Sequence, residues 1–258
     1  MWFPQMGSGS IAQFPVRRTR KWRSITNEME SGELIQLPDT AAGEIDWQLS
    51  MQDLSDAESA ALSSLFTATH GAFGSFLFID PLGNLLGWSE DLSRPDWQRG
   101  LLQVSTGAAD PLGTERASTI HNPAAGAQSL QQTIGMPGDY VGCFSVWMRS
   151  NGAVTVNLAR DARSIACSVG PVWKRFPVNG AGTGGAAQST FSLSLATGQS
   201  IDVWGFQAEA QPNPSQYKQS GSALGIYEET YFADDELTLV STGVGLSSCE
   251  VSLTSRVP

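Results

Sequence analysis

The sequence predicts a mainly β protein: a small β-sheet-plus-one-helix domain, split in the chain, with a jelly-roll β-sandwich inserted between its halves. Three observations predict it. Segments alternating polar and apolar residues recur through most of the 258 residues. One amphipathic stretch alone opens on a helix capping box. Two strand-like segments close the chain, too few for a domain of their own. The expected partition gives 1–85 and 222–258 to the outer domain and 86–221 to the insert.

Strands are expected at 11–14, 20–26, 32–36 and 44–51, with turns at 27–31 and 38–43. In the last of these strands Ile45, Trp47, Leu49 and Met51 share one face at period two. Ser55-Asp56-Ala57-Glu58 is the capping box, and Ala61, Leu62, Leu65, Phe66 and Thr69 follow at helical spacing until His70-Gly71. A buried strand is expected from Phe73 to Asp80. From Leu86 to about Ser220 the composition turns to short strands separated by Gly, Ala and Ser: 129–134, 142–149, 153–159, 164–169, 172–178, 190–195 and 200–210. Regular spacing without helical pattern predicts the sandwich. Closing strands at 237–241 and 248–253 are expected to complete the first sheet, since the ends of an inserted domain usually lie close together.

Composition narrows the function. Hydrophobic residues make up 41% and charged residues 16%, a globular balance, and the formal net charge of -10 argues against nucleic acid as a partner. Arg17, Arg18, Arg20, Lys21 and Arg23 nevertheless concentrate five of the fifteen basic residues in one segment. Phe14, Val16, Trp22 and Ile25 interleave it as in a half-buried strand, which points to a subunit contact or a solvated face. Residues 1–10 lack the pattern of a secretory leader, and no stretch approaches the ~18 apolar residues of a membrane span. Cys143, Cys167 and Cys249 are expected to be buried free thiols.

Two resemblances follow from these motifs. Arg20-Lys21-Trp22, Trp47-Gln48-Leu49, Leu54-Ser55-Asp56-Ala57-Glu58, Leu65-Phe66 and Gly74 to Pro81, in this order, resemble phage distal-tail or minor-tail proteins. Asn84 to Leu92 with Trp97, Phe144 to Arg149, Trp173 to Phe176, Gly198 to Glu209 and Ser215-Gln216-Tyr217 resemble jelly-roll carbohydrate-binding modules. The first resemblance implies a homo-oligomeric ring, typically a hexamer, contacting tail tube, hub and fibres in a virion tail tip made in the host cytoplasm. The second implies contact with host cell-surface polysaccharide.

Pyranose C–H faces stack on exposed aromatic rings, so the expected glycan-binding residues are Trp88, Trp97, Trp173 and Arg175. Trp97, after Pro95, is either exposed or a plug. Trp147 and Trp204 are read as core. The expected subunit interface sets Arg17, Arg18, Arg20 and Lys21 against Asp234 and Asp235 of a neighbour; a solvated turn is the simpler reading of that acidic pair. No catalytic residue, metal ligand or cofactor is expected. His70 and His121 are the only histidines, no nucleophile elbow occurs, and Gly180 to Gly185 precedes a strand rather than a phosphate-binding helix, so it reads as a hairpin tip. The alternatives are a tail fibre or spike adhesin, a baseplate scaffold without glycan binding, and, further off, a jelly-roll polysaccharide-degrading enzyme.

Overall fold

The computed structural model describes residues 1–222 and 225–257. In chain order its elements are β1 (Val16–Glu28), β2 (Leu34–Ser55), α1 (Asp56–Ala68), β3 (Phe76–Ile79), β4 (Gln103–Ala108), β5 (Ala117–His121), β6 (Gln128–Ile134), β7 (Val141–Arg149) and β8 (Val154–Arg160). They continue with β9 (Arg163–Val169), β10 (Lys174–Ala181), β11 (Ser189–Leu195), β12 (Ser200–Glu209), β13 (Ile226–Phe232), β14 (Val240–Gly243) and β15 (Leu246–Val257). The chain divides into two compact units: Met1–Gly7, Ile11–Ile79 and Ile226–Pro258 form unit 1; Ser8–Ser10 and Asp80–Gly225 form unit 2.

Unit 1 is an antiparallel sheet in the order β1-β2-β15-β13-β3, with β14 beside β15. The closing strand β15 pairs along β2, from Leu246 opposite Ser55 to Val257 opposite Gly43. The alternation in β2 buries Ile45, Trp47, Leu49 and Met51, and the Trp47 indole donates to Ser255 Oγ at 3.1 Å. Phe78 packs edge-on against Trp47 at 5.1 Å and Phe3 at 5.4 Å, geometries that favour the ring quadrupoles.

Helix α1 follows from its first turn. Glu58 N–H donates to Ser55 Oγ, and Ser55 N–H donates to Glu58 Oε2 at 2.7 Å, so both arms of the capping box are made. Glu58 Oε1 also accepts from Gly7 N–H at 2.7 Å, which ties the N-terminal segment to the helix. Ser59, Leu62, Leu65 and Thr69 are buried, and Phe66 meets Phe232 at 5.0 Å; Ala61, expected on this stripe, is exposed.

Several local expectations differ from the structure. Residues 11–14 form no strand, and Phe73 is 84% exposed, ahead of a strand that begins at Phe76. The turn expected at 38–43 is a bulge inside β2: the partner of Lys21 is Glu44, but that of Arg23 is Asp39. An irregular ladder, rather than a reversal, absorbs the extra residues.

Unit 2 is a sandwich of a five-stranded sheet, β10-β7-β12-β5-β4, and a four-stranded sheet, β6-β11-β8-β9, both antiparallel. Phe144 of one sheet meets Phe191 of the other edge-on at 5.4 Å, within a core of Leu130, Val146, Met148, Leu158, Leu193, Ile201, Val203 and Phe206. The segment Gly180 to Gly185 is no hairpin tip: it carries the chain from β10 to β11, which lie in different sheets. Its glycines allow close approach. A Cβ on Gly182 would lie 1.9 Å from Asp161 Oδ2, and one on Gly138 would lie 1.9 Å from the Thr183 carbonyl. Beneath this crossing the fully buried Arg160 donates to the Gly180 carbonyl and to Ser189 Oγ.

Candidate functional site

The candidate surface of unit 2 starts with the face of the five-stranded sheet turned away from its core. In β7, Phe144, Val146 and Met148 enter the core, so Cys143, Ser145, Trp147 and Arg149 occupy the other face. In β12, Asp202 and Trp204 share that face; a bulge at Gly205, φ 67°, then shifts the phase so that Gln207 and Glu209 follow. The register sets Trp204 against Trp147, Gln207 against Ser145 and Arg175 of β10 against Trp147. Trp147 and Trp204, read from sequence as core, lie on the face away from the sandwich core; Trp204 is nonetheless buried, at 5% exposure, while Trp147 is half-buried.

Part of this face is covered by the chain's own exit segment. Lys218 N–H donates to Gln207 Oε1 at 2.7 Å, Ser215 N–H donates to Glu209 Oε2 at 3.0 Å, and Gln207 Nε2 donates to the Gln216 carbonyl at 3.3 Å. Tyr217 lies 4.6 Å from Trp204 between ring centroids and would touch any Cβ placed on Gly205. Burial pushes the Tyr217 phenol above its ordinary pKa, and burial likewise raises the Cys143 thiol to about 12. Both are unreactive at neutral pH. Arg175 donates to Ser145 Oγ at 2.9 Å and to the Ser215 carbonyl, so this predicted sugar contact holds the strap instead.

Trp97 is 3% exposed, its ring 4.9 Å from Phe206 and its indole N–H donating to the Trp88 carbonyl at 3.1 Å. It is the plug and not a ligand-binding residue: a ring this buried offers no platform to a sugar. Trp173 is half-buried, with the Arg149 guanidinium 4.9 Å over its ring and Arg149 paired to Asp202 at 2.8 Å.

Trp88 stands apart from these. It lines a groove of about 580 Å³ with Glu90, Asp91, Thr106, Glu115, Arg116, Gln219, Ser220 and Gly221. Its backbone is left-handed, φ 49°, a conformation bulky residues rarely adopt. The conformation is fixed from two sides, by Trp88 N–H donating to the Gly221 carbonyl at 3.0 Å and by the bond from Trp97. Arg94 sits 4.1 Å over the indole and pairs with Asp91 at 2.7 Å. Arg116 reaches Glu90 at 3.4 Å and Asp110 at 3.6 Å, and Tyr217 Oη donates to Glu90 at 3.0 Å. Burial would raise the Asp110 carboxyl, but the Thr114 hydroxyl and the N–H groups of Leu112, Thr114 and Arg116 outweigh it and hold the carboxyl below its ordinary pKa. Glu90, Arg116 and Tyr217 escaped the sequence reading because they lie far apart in the chain.

In unit 1 the predicted interface residues spread over two places. Every residue from Arg17 to Pro38 is exposed, so the outer part of the β1–β2 hairpin has neither face covered. Lys21 pairs with Asp46 of its own sheet, which raises the pKa of the ammonium through the hydrogen bond and then the charge. Arg18 lies 5.6 Å over the Trp47 ring. Arg17 and Arg20 have no ion-pair partner among the described residues. Asp234 and Asp235 line a separate cavity of about 680 Å³ with Glu236, Gln52 and Glu250. Asp235 Oδ1 accepts from Ala72 N–H at 2.9 Å, so it already closes a loop of its own unit. Among the described residues no group of three or more His, Cys, Asp or Glu side chains is placed to hold a metal ion.

No protein-family model matches the chain, and no curated protein sequence matches it. Solved structures similar to it over about half its length include TmCBM61 in complex with beta-1,4-galactotriose (14% identity, 49% of this chain, 97% of that chain, TM-score 0.39). The C-terminal family 22 carbohydrate binding module of Clostridium thermocellum Xyn10B is another (15% identity, 55% of this chain, 96% of that chain, TM-score 0.38). The enzymatically active domain of bacteriophage CBA120 tailspike protein 4 shares 18% identity over 51% of this chain, with a TM-score of 0.38; the match spans only 21% of that chain.

Proposed function

We propose that this chain is a non-enzymatic structural protein of a phage tail tip, in which unit 1 assembles copies of the chain and unit 2 presents a glycan-binding sandwich to the host surface. The observation that carries the assembly reading is the β1–β2 arm. From Arg23 opposite Asp39 to Glu28 opposite Leu34 it is a two-stranded ribbon, six pairs long, or about 20 Å at the usual strand rise. Ile25, Leu37 and Ile35 fall on one face with Arg23, Asp39 and Asn27, and are 44%, 51% and 41% exposed; Ser24, Thr26, Gln36, Pro38, Glu28 and the 59% exposed Leu34 fall on the other. Large apolar side chains left this open favour a covering partner, and an isolated two-stranded hairpin is marginal in water. Its charges are divided as well: Arg17, Arg18, Arg20, Lys21 and Arg23 at the stem, Glu28, Glu30 and Glu33 at the tip. A second copy supplies both the missing apolar cover and the complementary charge.

The tail-tip setting follows from the resemblance of the outer-domain motifs, and the glycan from the groove beside Trp88. Mass measurement of the purified chain across concentration tests the assembly reading, with charge reversal of Arg17 and Arg20 expected to weaken self-association. A chain that stays monomeric and never joins a tail overturns it. Glycan-array binding by the same chain tests the second half, and silence across host polysaccharides leaves a scaffold.

A further inference from the structure

We propose that the groove beside Trp88 is a glycan subsite that selects sugars bearing a free amine, of the glucosamine type, over N-acetylated and carboxylate-bearing ones. The inference rests on the reading of unit 2 as a glycan binder and adds the class of sugar. Its first support is the aromatic platform. A tryptophan at φ 49° persists only where its surroundings over-determine it, and here the bonds to Gly221 and from Trp97 do so. They keep a half-buried indole at the wall of the groove, with Arg94 stacked at 4.1 Å on one face. C–H groups of a pyranose suit the remaining aromatic surface, and Gln219 supplies a polar side chain for its hydroxyls.

The second support is the charge around that platform. Four carboxylates, Glu90, Asp91, Asp110 and Glu115, meet two guanidinium groups, Arg94 and Arg116. Asp91 neutralises Arg94, and Arg116 is shared between Glu90 and Asp110. Glu115 is exposed and has no ion-pair partner among the described residues. The uncompensated charge of the groove is therefore negative. An ammonium group on the sugar gains from it, an acetamide gains nothing, and a uronate is repelled. Exposed pairs of this kind are weak and screened by salt, so a preference of about three- to five-fold is expected at low ionic strength, fading at high salt.

The test titrates the full chain with glucosamine, N-acetylglucosamine and galacturonic acid hexamers at low and high salt. The expected order is glucosamine, then N-acetylglucosamine, then galacturonate. W88A is expected to abolish binding while W88Y, which keeps a stacking ring, retains most of it. E115Q should bring the glucosamine-to-N-acetylglucosamine ratio toward one, and E115K should invert the order of glucosamine and galacturonate. Equal binding of the three probes, undiminished binding by W88A, or an unchanged ratio in E115Q overturns the proposal. Binding to other glycans with silence toward these three overturns this selectivity alone; silence toward every glycan overturns the glycan-binding reading with it.

Discussion

Replacing the apolar stripe of the β1–β2 arm, as I25T/I35T/L37T, tests assembly without disturbing the fold. Threonine keeps strand propensity, so the ribbon itself should survive. Burying an Ile or Leu side chain completely is worth about 1.5–3 kcal/mol, and these three are 44%, 41% and 51% exposed, so covering the remainder is worth roughly 1 kcal/mol each. Three such losses per arm come to about 3 kcal/mol, or roughly a hundred-fold weaker association. Sedimentation or mass photometry over a dilution series should show the monomer midpoint moving by that factor. The melting temperature of the dissociated chain should barely move, because exposed substitutions usually fall within about 0.5 kcal/mol. An unmoved midpoint refutes the reasoning. So does a large loss of monomer stability, since it would mean that the stripe is already covered within one chain.

Further outcomes follow from unit interiors. The Glu58 carboxyl is held below its ordinary value of 4.5 by the Ser55 hydroxyl first, then by the N–H groups of Gly7 and Ser55. A depressed carboxyl stabilises the fold fully above the unfolded value and loses that contribution as pH falls through the folded one. E58Q should therefore lower stability at neutral pH and flatten the acid limb of a stability–pH profile, and an unchanged limb speaks against the capping box. Gly138→Ala would drive its Cβ into the Thr183 carbonyl, at a cost of about 1–3 kcal/mol and a drop in melting temperature of roughly 2–12 °C. Thermal unfolding that matches the parent chain would show that the crossing yields more easily than its geometry suggests.

The parts of the fold legible in the sequence were those fixed locally. Ser55 and Glu58 lie three residues apart and satisfy each other, so the helix start needed no tertiary information. Strands β4, Gln103–Ala108, and β5, Ala117–His121, escape a periodicity count because small polar residues carry little alternation; β4 pairs only with its neighbour β5, which is held in turn by the distant β12. Trp147 was assigned to the core for a different reason. Strand β7 is covered on both faces, so Cys143 and Ser145 are as fully buried as Phe144 and Val146, and hydrophobicity no longer marks the inner side. In β12 the bulge at Gly205 hides the phase change from any strict period-two count. The groove at Trp88 gave a partial signal, an aromatic residue outside the strand pattern; its charged wall is assembled only by folding.

The exit strap has a mechanical consequence. Asp80 N–H donates to the Gly225 carbonyl at 2.8 Å, Leu85 N–H to the Ala208 carbonyl at 2.8 Å and Trp88 N–H to the Gly221 carbonyl at 3.0 Å, so the two chain ends of unit 2 are buckled together. Tension between Ile79 and Ile226 meets that buckle first and spares the sheets behind it. Ile226 also pairs with Ile79 inside unit 1, so the spacing of their two strands is set there and not by the length of the insert.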